Sequence, residues 1–179
     1  LGVNPKECQF YSLPGIAEGN AQAPSQSLIK KLILSVLRHL SPKQERFLYR
    51  KANTLIDCCL RLVGQKKVSL KPEVTAQTEP LKAGELVRVR SREEIQATLD
   101  HFGRLKGCAF LHGMEPYCGT IQRVLKPMER FVDERDLRVK KCKGLVLLEG
   151  VMCQGVTTFG RCDRSCFMFW REEWLERLY

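Results

Sequence analysis

The stretch Lys141–Leu178, KCKGLVLLEGVMCQGVTTFGRCDRSCFMFWREEWLERL, holds four cysteines: Cys142, Cys153, Cys162 and Cys166. Glycines and an apolar run separate them. The closest two bracket a knuckle-like turn, Cys162-Asp163-Arg164-Ser165-Cys166. Zinc prefers four soft or borderline ligands in a tetrahedron, and four thiolates saturate it in a structural site. The run Gly144–Val151 reads as a buried strand that carries Cys153 to the knuckle, with Cys142 at the end of the strand before it. The expectation is a metal site of Cys142, Cys153, Cys162 and Cys166, with zinc as a structural cofactor, closing a small β-rich domain. Three other readings stay open. The same thiolates suit an iron–sulfur cluster, buried thiols pack as small hydrophobes, and disulfides form in exported proteins. The cysteine count of nine is odd, so a full disulfide framework leaves one over. With no secretory segment at the start of the sequence, this favours a reducing, cytoplasmic setting.

Working upstream, Leu137–Lys141 and Thr120–Val132 read as the two strands of a hairpin turning at Asp133-Glu134-Arg135-Asp136. Leu86, Arg88 and Arg90 alternate with Val87 and Val89, the mark of a half-buried strand. Ser91-Arg92-Glu93-Glu94 is a capping box that opens a short helix with Ile95, Leu99 and Phe102 on one face, ending near Gly103. At the other end of the domain, Trp170, Trp174 and Leu178 are four apart, which predicts a terminal helical turn. Several short strands with one intruding helix predict a small SH3-like β-barrel over 83–179.

The N-terminal half has a different character. Residues 1–26 read as an extended or flexible arm, and 65–82 as a polar linker. Between them, 27–64 predicts a helical hairpin. Ile29, Leu32, Ile33, Val36, Leu37 and Leu40 form one apolar stripe. Ser41-Pro42-Lys43-Gln44 combines a good N-cap, a proline at the first helical position and a capping-box glutamine. The second stripe, Leu48, Ala52, Leu55, Cys59 and Leu62, runs four, three, four, three, a seam that suits packing on the first helix or self-association. Gly64 is placed to end the helix. The fold class expected is therefore α+β, a helical hairpin followed by a metal-closed barrel.

The chain of 179 residues carries a net charge of +10, and the excess is uneven. Between Ser27 and Lys71, eleven Lys or Arg stand against Glu45 and Asp57, giving +9. Lys30, Lys31, Arg38, Lys43, Arg46, Arg50 and Lys51 are the candidates for holding a polyanion, set against the plainer reading of a solvated helix face. No apolar run approaches the roughly 18 residues that span a bilayer.

Read together, GELVRVRSREEIQATLD, GMEPYCG, LEGVMCQG, CDRSC and WREEWL resemble a family of small bacterial proteins, over roughly Leu81 to Leu178. Its members carry a similar Val-Arg-Val-Arg strand, Tyr-Cys-Gly turn, cysteine cluster and Trp-Arg-Glu-x-Trp-Leu ending. The resemblance implies no activity. It does imply a cysteine at the position of Val132 in some members, which makes Cys118 an alternative to Cys142 as a metal ligand. The opening strand is also similar to the small barrel in the β subunit of nitrile hydratases, an analogy of fold alone.

Three classes of function follow. The first is a non-catalytic accessory or binding protein with a protein partner, or a homodimer through the hairpin. Four thiolates around zinc leave no position for substrate water, which favours this class. The second is a cysteine-dependent enzyme, with Cys118 as nucleophile and His112 as its base six residues upstream. The third is a nucleic-acid-binding protein that uses the basic hairpin. No phosphate-cradling glycine loop or dinucleotide fingerprint accompanies them.

Overall fold

Ser41 caps a helix as its sequence predicts. In the computed structural model, α1 spans Pro42–Leu62, with Gln44 N donating to Ser41 Oγ and Ser41 N donating to Gln44 Oε1. Gly64 follows at φ +75°, a left-handed conformation that glycine adopts without a side-chain clash. The structure describes Ile29, Leu32 and residues 39–64, 79–133, 138–154 and 163–178. The arm 1–26, most of the linker, the hairpin turn 134–136 and Cys162 lie outside the described residues.

The remaining elements form an antiparallel sheet and its cover. They are β1 (Leu86–Val89), α2 (Arg92–Thr98), a small hairpin of β2 (Arg104–Leu105) and β3 (Cys108–Ala109), a 3₁₀ turn (His112–Tyr117), β4 (Ile121–Asp133), β5 (Arg138–Leu148), β6 (Trp170–Arg171), a second 3₁₀ turn (Glu172–Trp174) and β7 (Leu175–Arg177). The five-stranded sheet runs β6-β5-β4-β1-β7. In β1 the predicted alternation holds: Val87 and Val89 are buried, Leu86 and Arg88 are exposed. Ser91 caps α2 through the expected box with Glu94, but the helix stops at Thr98, because Leu99 is already extended at ψ 147°. Phe102 therefore lies in the following loop and not on the helix.

The expected architecture is overturned. The sheet is not a closed barrel. β6 and β7 are its opposite edges, joined in sequence by three residues, yet no ladder links them. Among the described residues no group of three or more His, Cys, Asp or Glu side chains is placed to hold an ion. The chain end also differs from the helical turn expected of Trp170, Trp174 and Leu178. Trp170 belongs to one edge strand, Trp174 ends the 3₁₀ turn, and the next residues pair with β1 through Leu175 and Val89. The spacing of four arises from strand, turn and strand, each too short to set a period of its own.

Those two tryptophans build the core. Trp170, Trp174, Val87, Val89, Ile95, Val124, Val146, Leu148, Val151 and Leu175 are fully buried, with Leu81 and Met114 beside them. Phe110 meets Trp174 edge-on at 5.6 Å, and Tyr117 meets Trp170 at 6.3 Å. Trp174 Nε1 donates to Thr98 Oγ1 at 3.1 Å, tying the end of α2 to the chain end. Trp170 Nε1 is buried with no hydrogen-bond partner among the described residues, a cost that the burial of its ring outweighs. At the core's rim Arg171 is buried and satisfied. It donates to both carboxylate oxygens of Glu173, at 2.9 and 2.7 Å, and to the Lys143 carbonyl at 2.9 Å. No helix among the described residues is long and apolar enough to cross a membrane.

Candidate binding face on helix α1

One face of α1 is fixed to the sheet unit by polar contacts. Glu45, Tyr49, Asn53 and Asp57 recur every fourth residue and so share a side of the helix. All four meet the loop that follows α2 or Arg104 at the start of β2. Asn53 Nδ2 donates to Asp100 Oδ2, and His101 N donates to Asn53 Oδ1, both at 3.2 Å. His101 Nε2 lies 2.7 Å from Asp57 Oδ1. Arg104 donates to Tyr49 Oη at 3.1 Å, stacks 4.1 Å from the Tyr49 ring centre and lies 3.9 Å from Glu45. Phe102 packs edge-on against Tyr49 at 4.9 Å. Asp100 holds the loop in shape, its Oδ1 accepting from Phe102 N and Arg104 N. Part-exposed bonds of this kind contribute about 0.5–1.5 kcal/mol each, so together they orient α1 without burying much apolar surface.

The apolar face of the same helix points to solvent. Leu48, Leu55 and Leu62, seven residues apart, are 48%, 66% and 83% exposed, and Phe47, Cys59 and Val63 are exposed beside them. Leu40, Lys43, Gln44, Phe47 and Leu48 line an open depression at the start of the helix. The sequence offered the first helix of the hairpin as a cover. Of its stripe, Ile29, Leu32 and Leu40 are described; Ile29 and Leu32 are helical and exposed, while Leu40 is half-buried and lines that depression beside Leu48.

The basic candidates divide. Lys43, Arg46, Arg50 and Lys51 are exposed on α1, with Lys51 Nζ 5.6 Å from the Phe47 ring centre. Lys30, Lys31 and Arg38 lie outside the described residues.

The cysteines are spread over the molecule. Cys142 sits at an irregularity between β4 and β5, its Sγ within 3.3 Å of the Met128 carbonyl. Cys153 N donates to the Cys166 carbonyl at 2.7 Å, beside the bridge between Met152 and Phe167, so these two are neighbours across a short antiparallel contact. Cys162, the fourth expected ligand, lies outside the described residues, and the described three do not converge on an ion site. Cys118, the alternative ligand, ends the first 3₁₀ turn and packs against the core.

The expected Cys118–His112 pair is not assembled. The His112 side chain is 95% exposed, and its Nδ1 pairs with Glu115 at 3.2 Å. No hydrogen bond joins it to Cys118. Burial, helped by Glu115 and Glu93, pushes the Cys118 thiol above its usual range, the opposite of what a nucleophile at neutral pH needs. Burial pushes Cys108 up to about 11 and raises Cys142 as well.

The contacts of Asp100, His101 and Arg104 with α1 span 44 to 55 residues, and no local pattern marks such pairs. The one available signal was the regular spacing of Glu45, Tyr49, Asn53 and Asp57, a second and polar face on a helix with an apolar one. Comparison with protein families, with curated proteins and with solved structures finds no match.

Proposed function

We propose that the protein is a non-catalytic binding protein that associates through α1, and that the helix received by its apolar seam is α1 of a second copy. One observation carries the reading: Leu48, Leu55 and Leu62 stand exposed in a heptad on a helix whose opposite side is already held. In heptad terms the three leucines occupy d, Ala52 and Cys59 occupy a, and Glu45, turned to Arg104, takes the first a position; the pair is taken as parallel, with like d leucines meeting. Lys51 then falls opposite Ile56 of the second copy and meets no cation. Isolated helices of two or three heptads are marginal in water. Here the contacts to Asp100, His101 and Arg104 order α1 beforehand, so association does not bear the full cost of forming it.

The enzyme reading has no support in the geometry of His112 and Cys118, whose thiol is not activated. Sedimentation equilibrium tests the association. The expected result is a reversible dimer between about 1 and 100 μM, the strength a small preordered apolar seam supports. Leu55→Glu leaves only monomer. A native chain that stays monomeric throughout that range overturns the reading.

A further inference from the structure

The β4–β5 hairpin reaches past the rest of the sheet. β1 pairs with β4 only at Ile121, Gln122 and Arg123, and β6 pairs with β5 only at Leu145 and Val146. Among the described residues, beyond Met128 and Leu145 the two strands pair only with each other, to Asp133 and Arg138. At about 3.3 Å per residue, this two-stranded ribbon is roughly 15–20 Å long.

Its two faces are unlike. On one, Phe131 lies opposite Lys140 and Asp133 opposite Arg138, and the Phe131 ring approaches Phe169 at 6.0 Å. That face is packed, and its one carboxylate has a cation across from it. On the other face, Arg130 lies directly opposite Lys141, and Val132 directly opposite Val139. All four are exposed, the valines by 46% and 64%. Like charges directly opposite across a ladder destabilise a sheet. No carboxylate among the described residues forms an ion pair with Arg130 or Lys141. The Arg130–Lys141 pair itself stabilises nothing in the fold as it stands. Lys126 and Lys143 extend the exposed cations toward the ribbon's base. Among the described residues the acidic side chains of the hairpin are Glu129 at the irregularity and Asp133 on the packed face.

We propose that the face bearing Arg130, Lys141, Val132 and Val139 binds the phosphate backbone of a nucleic-acid duplex. A two-stranded β-ribbon is narrow enough to enter a major groove about 12 Å wide, and ribbons of this kind are used in that way. Cations along the ribbon supply backbone contacts without reading sequence, and the two valines meet sugar and base edges. An anionic membrane fits less well. Two valines are a small apolar anchor, and the exposed face has no aromatic residue to sit at the lipid interface. The proposal is independent of α1 and of self-association, and it places nucleic acid on a surface other than the basic hairpin.

The test uses the full chain and a fluorescein-labelled DNA duplex of about 20 base pairs, followed by anisotropy between about 50 and 200 mM salt. The expected plot of log affinity against log salt has a slope of about −3, from three or four phosphate contacts. Arg130→Glu/Lys141→Glu weakens binding at least about tenfold at the low-salt end and reduces the slope by about two. Lys43→Glu/Arg50→Glu, with the same change in net charge, has a much smaller effect. The single variant Arg130→Glu keeps the result from being a folding defect, because it turns a repulsive cross-strand pair into an attractive one. It raises the melting temperature slightly while weakening binding. Three results overturn the proposal: equal loss in the ribbon and α1 variants, unchanged affinity in the ribbon variant, or ribbon-dependent binding to phosphatidylserine vesicles with none to the duplex.

Discussion

The sheet and helix α1 use similar apolar residues to opposite ends. In the sheet, Val87, Val89, Val124, Val146 and Leu148 turn inward from alternate strand positions and close over Trp170 and Trp174. On α1, Leu55 and Leu62 are exposed and Leu48 is half exposed beside Leu40, while Asn53, Asp57 and Tyr49 make the contacts to the loop after α2. A helix that only needed to pack on the sheet would do the reverse and bury its leucines. The difference separates a unit that satisfies its own hydrophobic surface from one that is presented, in a fixed orientation, to something outside the described chain. The same contrast recurs within the hairpin, where the Phe131 side is packed and the Arg130–Lys141 side is not.

Substitutions should rank by which side of this contrast they touch. The largest effect is expected at Trp174. Its ring is fully buried and its Nε1 bond holds Thr98, so Trp174→Ala costs about 3–5 kcal/mol of stability in chemical denaturation. A loss below about 1 kcal/mol would mean the core does not depend on the chain end.

Next comes the Arg171–Glu173 pair. Burial on its own would raise the Glu173 carboxyl, but hydrogen bonds from Arg171 and Lys106 outweigh it and hold the group down at about 2. An unfolded glutamate titrates near about 4.3. Glu173 therefore contributes stability that is fully present above about pH 4.3 and is lost as pH falls toward 2. Acid titration of the native protein should show this slope, and Glu173→Gln should flatten it. Arg171→Ala removes two bonds to the part-buried carboxylate, leaves Lys106 as its cation and costs about 1.5–3 kcal/mol at neutral pH. An unchanged acid limb in Glu173→Gln would remove the pair from the account.

A smaller effect belongs to the docking of α1. Asn53→Ala removes two part-buried bonds, worth about 1–2 kcal/mol together. Hydrogen exchange should quicken in α1 and stay unchanged in β4 and β5. Equal quickening in both would show helix and sheet to be one cooperative unit, and the contrast between them would fail. The smallest stability effect is expected at Leu55. Leu55→Glu shifts the monomer's stability by no more than about 0.5 kcal/mol, because the side chain is already in water. A much larger loss would show the seam to be covered within the chain.

Much of this was legible locally. Ser41 and Ser91 announce their helices through capping boxes, and Gly64 marks an end. The alternation in Leu86–Val89 and the long hairpin of β4 and β5 follow from side-chain periodicity. The failures lie where distant residues decide. Whether β6 and β7 close a barrel depends on pairing between opposite edges, which no local spacing encodes. Cys142, read as a ligand in a cysteine-rich stretch, sits at the β4–β5 irregularity, a position set by strand pairing that its own neighbours do not encode. The apolar stripe of α1 lies along one helix, as its spacing predicts. Its exposure could not be read, because burial depends on the loop 99–104 taking the polar side of the helix instead.

The most direct test of that exposed seam is oxidative cross-linking of the Cys58→Ser protein with diamide, with the bridge mapped by peptide mass. Cys59 sits at an a position, where a parallel pair brings the two copies' side chains together. The account predicts a covalent dimer joined through Cys59 of both copies, and its loss in Leu55→Glu. A chain that remains monomeric, or that links through exposed Cys166 instead, would contradict it.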